Sequence, residues 1–376
     1  MANVTGLEGV VAADTDISLV DGENGRLVYR GYGAKELAVA KRFEEVAFLL
    51  WNGRLPERDE LEQAEKRMAA HRVLPEPIAR ILDALPPAAP VMSALQTAIA
   101  ALGALEGDQW PPAAARAERL TAIVPTIIAY WARKAKGLPA VQPDPRLGLA
   151  ANYLYMLTGR RPEEAHVQAL NAYLILCMEH GLNASTFAGR VILSTQSDMS
   201  SAVCGAVGAM KGPLHGGAPS EVVAMLEAIG TKERAEPWMR SVLERGGRLM
   251  GFGHRIYKTK DPRAEALREV TLRLTGRDPA FDLAVFVEQT AIRLLEEYKP
   301  GRRLYTNVEF YAAAILRAVR IPAELFTPTF TAGRMAGWTA HLLEQASVNR
   351  IFRPQSVYTG PMPLAEGGEP ERNATR

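Results

Sequence analysis

The amino-acid sequence predicts an all-α fold with a small N-terminal β-hairpin. Apolar residues recur every three or four positions over most of the chain, which is the spacing of one buried face of a helix. Sustained strand alternation is found near the N-terminus and nowhere after it. Proline-marked connections separate the helical segments. These three observations exclude a sheet-based architecture.

The elements follow in chain order. Residues 17–31 predict a hairpin, because two β-prone runs flank the turn at residues 22–25. A helix is predicted over 161–178, since Pro162 and the acids after it suit a helix N-terminus, and it delivers His180 at its end. The other predicted helices cover residues 44–52, 60–72, 114–134, 220–229, 262–274, 281–298, 308–319 and 333–346, and the small residues of 185–210 favour either core packing or a dimer interface.

Composition narrows the function classes. The chain has 376 residues, of which 48% are hydrophobic and 23% charged, as in an ordinary globular protein. With 44 basic and 42 acidic residues, the net charge of +2 gives no electrostatic case for nucleic acid or an anionic membrane. No signal peptide or membrane span is expected, and two cysteines in apolar helical segments favour free thiols in a reducing compartment. We therefore expect a cytoplasmic protein.

Three of the six histidines lie in glycine-flanked or small-residue settings. His180 precedes Gly181 and the run Asn-Ala-Ser-Thr-Phe, His215 lies in Gly-Pro-Leu-His-Gly-Gly, and His254 follows Gly-Phe-Gly. Glycine lets backbone and ligand approach closely, so these settings point to chemistry. Two simpler interpretations stay open: a helix-end residue for His180 and a buried, hydrogen-bonded residue for His215. That buried class is assigned to His71, His166 and His341.

The remaining candidates are charged side chains. No histidine or cysteine spacing suits a metal, so none is expected. Arginine forks match carboxylates, so Arg263, Arg334 and Arg353 could hold a small polyanionic acid, although a single arginine is more often a surface charge. Glu309 begins a predicted helix, where an acid is expected for dipole reasons alone.

Taken together, these segments resemble the citrate synthase family. The motifs are Asn-Ala-Ser-Thr-Phe, Gly-Pro-Leu-His-Gly-Gly, Gly-Phe-Gly-His-Arg followed by Lys-Thr-x-Asp-Pro-Arg, Asn-Val-x-Phe, and Arg-Met-Ala-Gly-Trp-Thr-Ala-His. The resemblance runs from the opening Gly-Leu-Glu-Gly-Val-Val to Arg353 and Pro354 and fits the shorter form of the family. It implies an enzyme of the tricarboxylic acid cycle that condenses acetyl-CoA with oxaloacetate and hydrolyses citryl-CoA to citrate.

The resemblance also implies an assembly and a division of the chain. A homodimer is expected, with a large helical domain formed by residues 1–216 and 321–376. A small domain formed by residues 217–320 closes over CoA and oxaloacetate, and residues from about 365 to 376 are expected to be disordered. Arg353 would be supplied across the dimer interface to the neighbouring active site.

Site roles are carried over by matching positions. His215 would bind the enol of acetyl-CoA, His254 would polarise and protonate the ketone, and Glu309 would be the base. Oxaloacetate would contact His180, Arg263, Arg334 and Arg353. CoA would contact Lys258 and the backbone of Leu249, Met250, Gly251, Phe252 and Gly253. It is a co-substrate, and no tightly bound cofactor is expected.

His215 must stay neutral to donate without protonating the enolate outright. A backbone partner is expected to fix its tautomer, and Asn183 and Ser185 are candidates to orient the site.

One position departs from the family pattern. The base is usually aspartate, and Glu309 adds one methylene, about 1.5 Å of reach. We expect an active enzyme with Glu309 as base. Two alternatives remain. The first is a 2-methylcitrate synthase that uses propionyl-CoA, since the binding energy of one methylene in an apolar pocket is only about 1–3 kcal/mol and discriminates weakly between the two thioesters. The second is a non-catalytic protein that binds citrate or CoA.

Overall fold

The computed structural model describes residues 5–7, 9–107, 109–216, 220–253, 259–274, 276, 279–302 and 304–360. Within these residues the chain is mostly helical, with one small sheet near the N-terminus, which confirms the predicted all-α class. The α-helices are α1 (Ala34–Ala40), α2 (Phe43–Asn52), α3 (Arg58–His71), α4 (Glu76–Ala84), α5 (Val91–Glu106), α6 (Ala114–Ala135), α7 (Leu149–Thr158), α8 (Glu164–Cys177), α9 (Ala184–Ser194), α10 (Met199–Met210), α11 (Pro213–Gly216), α12 (Ser220–Ile229), α13 (Lys232–Glu244), α14 (Pro262–Arg273), α15 (Pro279–Tyr298), α16 (Val308–Ala318) and α17 (Phe326–Ser347).

The predicted hairpin is present and gains a third strand. Strand β1 (Ser18–Asp21) pairs antiparallel with β2 (Arg26–Tyr29), which pairs with the short β3 (Tyr32–Gly33). The hydroxyl of Tyr29 donates to the carbonyl oxygen of Glu179 at 3.0 Å, and Ser18 Oγ donates to Glu179 Oε1 at 2.9 Å. The sheet is therefore tied to the segment that follows α8.

Helix α17 is the central element of the core, and most of its residues are buried. It packs on α6, α8 and α9. Two glycines make this packing close: a Cβ on Gly333 would lie 2.9 Å from the Leu174 carbonyl oxygen, and one on Gly337 would lie 2.0 Å from that of Met178. α17 therefore lies directly against the end of α8, where the candidate residues begin.

Small residues also let α9 and α10 pack together, as the sequence predicts for 185–210. A Cβ on Gly189 would lie 3.4 Å from the Ala202 carbonyl oxygen, and one on Gly205 would lie 2.1 Å from Ile192 Cδ1. Helix α10 begins after Asp198, because the side chain of Asp198 accepts a hydrogen bond from the amide of Ser201 at 2.7 Å and caps the helix. The core-packing role is thus present, while the dimer-interface role stays a prediction.

The expected division of the chain into 1–216 with 321–376 and 217–320 also stays a prediction. The tail expected to be disordered lies outside the described residues. Over the described part of the chain, every helix is too short or too polar to serve as a membrane span.

Candidate active site

A cavity of about 300 Å³ lies between the end of α8 and helices α11, α14, α16 and α17. It brings together five of the predicted site residues, namely His180, His215, Arg263, Glu309 and Arg334. The remaining lining is Tyr173, Leu176, Cys177, Asn183, Gly216, Asn307, Val308, Ala312, Phe326, Thr327 and Phe330. Positive and hydrogen-bonding groups therefore share one small cavity with an apolar wall, as is usual for small-molecule sites.

His180 lies in the turn that joins α8 to α9. Gly181 has φ of +64°, a backbone conformation that favours glycine, and its amide donates to Glu179 Oε1 at 2.5 Å. Asn183 caps α9, because its Oδ1 accepts from the amide of Thr186 at 3.1 Å. These bonds fix the turn on both sides of His180.

His215 lies on the one-turn helix α11, half-buried. Its Nε2 is 2.7 Å from the hydroxyl oxygen of Ser185. Burial, and after it the nearby cation of Arg334, lower the pKa of His215 to about 4, so the ring is neutral at pH 7. The predicted neutrality is supported, and Nε2 contacts a side-chain hydroxyl because α9 places Ser185 directly beside α11. The expected backbone partner of the ring stays a prediction.

Arg334 is 2% exposed on α17. Its Nε donates to the Cys177 carbonyl oxygen at 2.6 Å, and its guanidinium lies 4.9 Å from the centre of the Phe330 ring. Burial lowers the pKa of Arg334, which the negative charge of Glu179 opposes. A guanidinium stays charged in proteins, so this residue supplies a fixed positive charge at the cavity.

Arg263 reaches the same cavity from the first turn of α14. The Asp261 carboxylate holds it in a bidentate pair, with Nε to Oδ1 at 3.1 Å and Nη2 to Oδ2 at 3.0 Å. Asp261 also caps α14 through the Arg263 amide at 2.9 Å and accepts from the Val308 amide at 3.3 Å. One buried carboxylate thus connects the arginine to the start of α16.

Glu309 lies on the first turn of α16, where its amide donates to Asn307 Oδ1 at 3.1 Å. Glu309 is exposed at the cavity. The protein atoms around its carboxylate still remove part of the surrounding water, and this partial burial raises the pKa of Glu309. The negative charges of Glu221 and Asp261 raise that pKa further, and Arg263 opposes them. A carboxylate with a raised pKa is a better proton acceptor than an ordinary surface acid.

Residues 249–253, predicted to follow CoA, run beside the start of α16. The Gly253 amide donates to the Tyr305 carbonyl oxygen at 2.7 Å, and the Asn307 side chain donates to the Gly253 carbonyl oxygen at 2.9 Å. A Cβ on Gly251 would lie 2.7 Å from that of Phe310, so this loop needs glycine there. The chain leading to His254 is thereby pinned near Glu309, while His254 and Lys258 themselves lie outside the described residues.

Arg353 is exposed in the segment after α17, away from the cavity lining of its own chain. His341, assigned to the buried class, is buried: its Nδ1 lies 2.9 Å from Arg190 Nη1, and its Nε2 lies 3.1 Å from Glu179 Oε1.

Sequence reasoning missed the roles of Asp261 and Asn307 in holding the site. Both precede a helix, and an Asp or Asn in that position is a recognisable N-cap signal.

Three comparisons with known proteins identify the family to which the chain is similar. A family model described as the C-terminal domain of citrate synthase matches residues 6–355. Citrate synthase 2 of Bacillus subtilis is 42% identical over 96% of this chain and 97% of its own length, and 2-methylcitrate synthase of Mycobacterium tuberculosis is 41% identical over 94% of this chain and 90% of its own. The solved structure of citrate synthase from Thermoplasma acidophilum, in a ternary complex with carboxymethyl coenzyme A and oxaloacetate, has a TM-score of 0.83 at 30% identity and covers 96% of this chain and 97% of that one.

The chain belongs to the citrate synthase family. It is an enzyme that condenses acetyl-CoA with oxaloacetate. The predicted family and all-helical fold are confirmed.

Proposed function

We propose that the cavity between α8, α11, α14, α16 and α17 is the condensation site, and that acetyl-CoA is its preferred thioester. The observation that carries the proposal is the convergence of His180, His215, Arg263, Glu309 and Arg334 on one cavity of about 300 Å³. A volume of this order suits a small acid and the acyl end of a thioester.

Oxaloacetate binds at the inner, positively charged side of the cavity. It is a dianion, and Arg263 and Arg334 are rigid donors held by Asp261 and by the Cys177 carbonyl oxygen. His180 adds a further ring nitrogen from the fixed turn after α8. Because these groups are already oriented, binding the substrate requires little reorganisation.

Acetyl-CoA is activated by Glu309 and His215. The carboxylate removes a proton from the methyl group, and the neutral imidazole donates a hydrogen bond to the developing enolate oxygen. The raised pKa of Glu309 and the pKa of His215 near 4 support these two roles at neutral pH. The enolate carbon then attacks the ketone of oxaloacetate.

The later steps use residues that the sequence assigns. His254 protonates the new alkoxide, and hydrolysis of citryl-CoA releases citrate and CoA. Lys258 and the backbone of residues 249–253 hold the CoA portion. The pinning of that loop to Asn307 supports a CoA position next to Glu309.

The active form is a homodimer in which Arg353 completes the neighbouring site. Its exposed position outside the cavity of its own chain supports this assignment. The cytoplasmic location stays a prediction from the sequence.

Synthesis of 2-methylcitrate from propionyl-CoA is the second candidate. Leu176, Ala312, Phe326 and Phe330 give the cavity an apolar wall that could receive one more methyl group. The binding energy of one methylene limits such discrimination to about 10- to 200-fold.

Two variants separate the proposed subsites. In Arg334→Gln, calorimetry should show the loss of most oxaloacetate binding, because a buried fixed charge is removed. In His215→Gln, oxaloacetate binding should stay within a few-fold of wild type while CoA thiol release falls by about 10²-fold or more. Loss of oxaloacetate binding in His215→Gln but not in Arg334→Gln would refute the proposed division.

A further inference from the structure

Glu179, the residue directly before His180, has a completely buried carboxylate that the proposed chemistry does not use. Its Oε1 accepts from the Gly181 amide at 2.5 Å and from Ser18 Oγ at 2.9 Å. The carbonyl oxygen of Glu179, next to the amide of His180, accepts from the Tyr29 hydroxyl at 3.0 Å. Both the side chain and the main chain of Glu179 thus fix the turn in which His180 lies.

A second set of contacts holds this carboxylate from helix α17. Nε2 of His341 lies 3.1 Å from Oε1 of Glu179. Nδ1 of the same ring lies 2.9 Å from Nη1 of Arg190, and because a guanidinium can only donate, Nδ1 accepts and the ring hydrogen is on Nε2, beside the carboxylate. Arg190 also donates to Glu344 Oε2 at 2.6 Å and to Gln345 Oε1 at 2.9 Å. A buried polar network therefore sets the position of the Glu179 carboxylate.

The other carboxylate oxygen, Oε2, packs on α17 near the positive charge of the cavity. A Cβ on Gly337 would lie 2.7 Å from Oε2 of Glu179, and Gly337 is one helical turn after Arg334. Among the described residues, Oε2 has no hydrogen-bond partner. Burial raises the pKa of Glu179, but His341 and after it Arg334 outweigh burial, so the pKa is lowered and the group is an anion at neutral pH.

The two oxygens of Glu179 suggest two different roles. Through Oε1 the carboxylate holds the turn around His180, and through its charge it opposes the positive charge of Arg334. The hydrogen bonds favour the first role, since the Gly181 amide and the Ser18 hydroxyl both donate to Oε1. A negative charge near Arg334 also lowers the potential that attracts the oxaloacetate dianion. A favourable contribution of Glu179 to oxaloacetate binding must therefore come from the geometry that Oε1 fixes.

We propose that Glu179 is a positioning residue for oxaloacetate: by accepting from Gly181 and Ser18, its Oε1 holds the turn that presents His180 to the substrate in one orientation. This inference rests on the proposed role of His180 in binding oxaloacetate. Without the carboxylate, the Gly181 amide loses its acceptor, and a turn that contains a glycine is free to adopt other conformations.

The test compares Glu179→Ala with Glu179→Gln by calorimetric binding of oxaloacetate. Glutamine has the same length and keeps one oxygen that accepts, but it carries no charge. Glu179→Ala should weaken oxaloacetate binding about 10-fold, whereas Glu179→Gln should stay within about threefold of wild type. In both variants kcat at saturating oxaloacetate should stay within about threefold, so the loss should be in KM. Equal weakening in the two variants would assign the effect to the charge and overturn the inference.

A matched control is Glu44→Ala. Glu44 is 3% exposed, and its Oε1 accepts from the Leu149 amide at 2.6 Å and from Arg72 Nη2 at 3.3 Å, away from the cavity. This variant should lower the midpoint of thermal unfolding but leave oxaloacetate binding within about twofold; weakening equal to that of Glu179→Ala would show a general loss of stability and contradict the inference. If Glu179→Ala fails to fold, Ser18→Ala removes one donor to the same oxygen and should still weaken binding about two- to threefold, and unchanged binding there would refute the proposed role.

His180→Ala, measured beside these variants, separates the proposed function from the role of Glu179. If His180→Ala binds oxaloacetate like wild type, the proposed role of His180 is wrong, and that of Glu179 falls with it. If His180→Ala weakens binding while Glu179→Ala does not, the proposed function stands and only the role of Glu179 is wrong. In the double variant, Glu179→Ala should add little, because the side chain that it positions is already absent.

Discussion

Shortening the proposed base by one methylene should expose how closely the site is built around glutamate. In Glu309→Asp the carboxylate withdraws by about 1.5 Å, the length of one C–C bond. The backbone cannot follow, because Asn307 and Asp261 accept from the first two amides of α16 and Phe310 is fully buried behind it. A misplacement of about 1 Å costs roughly 10²-fold in rate. We therefore expect kcat to fall about 10²-fold while KM for oxaloacetate changes little.

The assay measures CoA thiol release at saturating oxaloacetate, with calorimetric binding of oxaloacetate as a second readout. Glu309→Gln removes the base and should abolish condensation while binding stays nearly intact. Glu221→Gln is a matched control that removes another negative charge near Glu309. It should keep maximal kcat within about twofold and shift the acid limb of the pH profile downward, because one cause of the raised pKa is gone.

The sign of the pH dependence follows from that raised pKa. The active form of the base is the carboxylate, so activity should be lost as the pH falls through a pKa above the ordinary value of 4.5. Turnover in Glu309→Asp equal to or above that of wild type would show a site still shaped for aspartate and would refute the reasoning. Unchanged turnover in Glu309→Gln, or lost oxaloacetate binding, would remove Glu309 as the base.

Three further predictions concern stability and assembly. The pKa of His215 is lowered from 6.5 to about 4, so the unfolded chain takes up the proton at a higher pH than the folded protein does. The midpoint of thermal unfolding of wild type should therefore fall as the pH is lowered from 6.5 to about 4, and this fall should be absent in His215→Gln. Mixed dimers of Glu309→Gln and Arg353→Gln should recover activity that neither variant has alone, because one of their two sites is intact if Arg353 acts across the interface; no recovery would place Arg353 in its own site. Gly337→Ala should lower the free energy of unfolding by about 1–3 kcal/mol in urea titrations, because the new Cβ meets the Met178 carbonyl; an unchanged midpoint would contradict the close packing of α17 on α8.

The sequence predicted those helices whose boundaries carry local signals, while α1, α4, α5, α7 and α13 were not individually predicted. Helix α12 (Ser220–Ile229) has its predicted limits, and α16 begins at Val308 as predicted. Helix α17 was placed too short, from residue 333, whereas it begins at Phe326. Its early Pro328 and its glycines weaken the helical signal, although tertiary packing on α8 requires small residues there.

The polar architecture of the site could be predicted only in part. Local motifs identified His180, His215 and Arg334, and the cavity brings them together. The contact of Trp338 with Ser185 joins residues 153 positions apart, and no local pattern predicts such a pair. The bidentate hold of Asp261 on Arg263 is local, but sequence alone does not tell whether an Asp-Pro-Arg segment faces solvent or a cavity.

The most direct measurement is CoA thiol release with oxaloacetate, comparing acetyl-CoA and propionyl-CoA at matched concentrations. We predict a much higher kcat/KM for acetyl-CoA, with Glu309 in the position of the base. A clear preference for propionyl-CoA would move the assignment to methylcitrate synthesis with the same residues in the same roles. Release from neither thioester, with oxaloacetate still bound, would contradict the account and favour a non-catalytic binding protein.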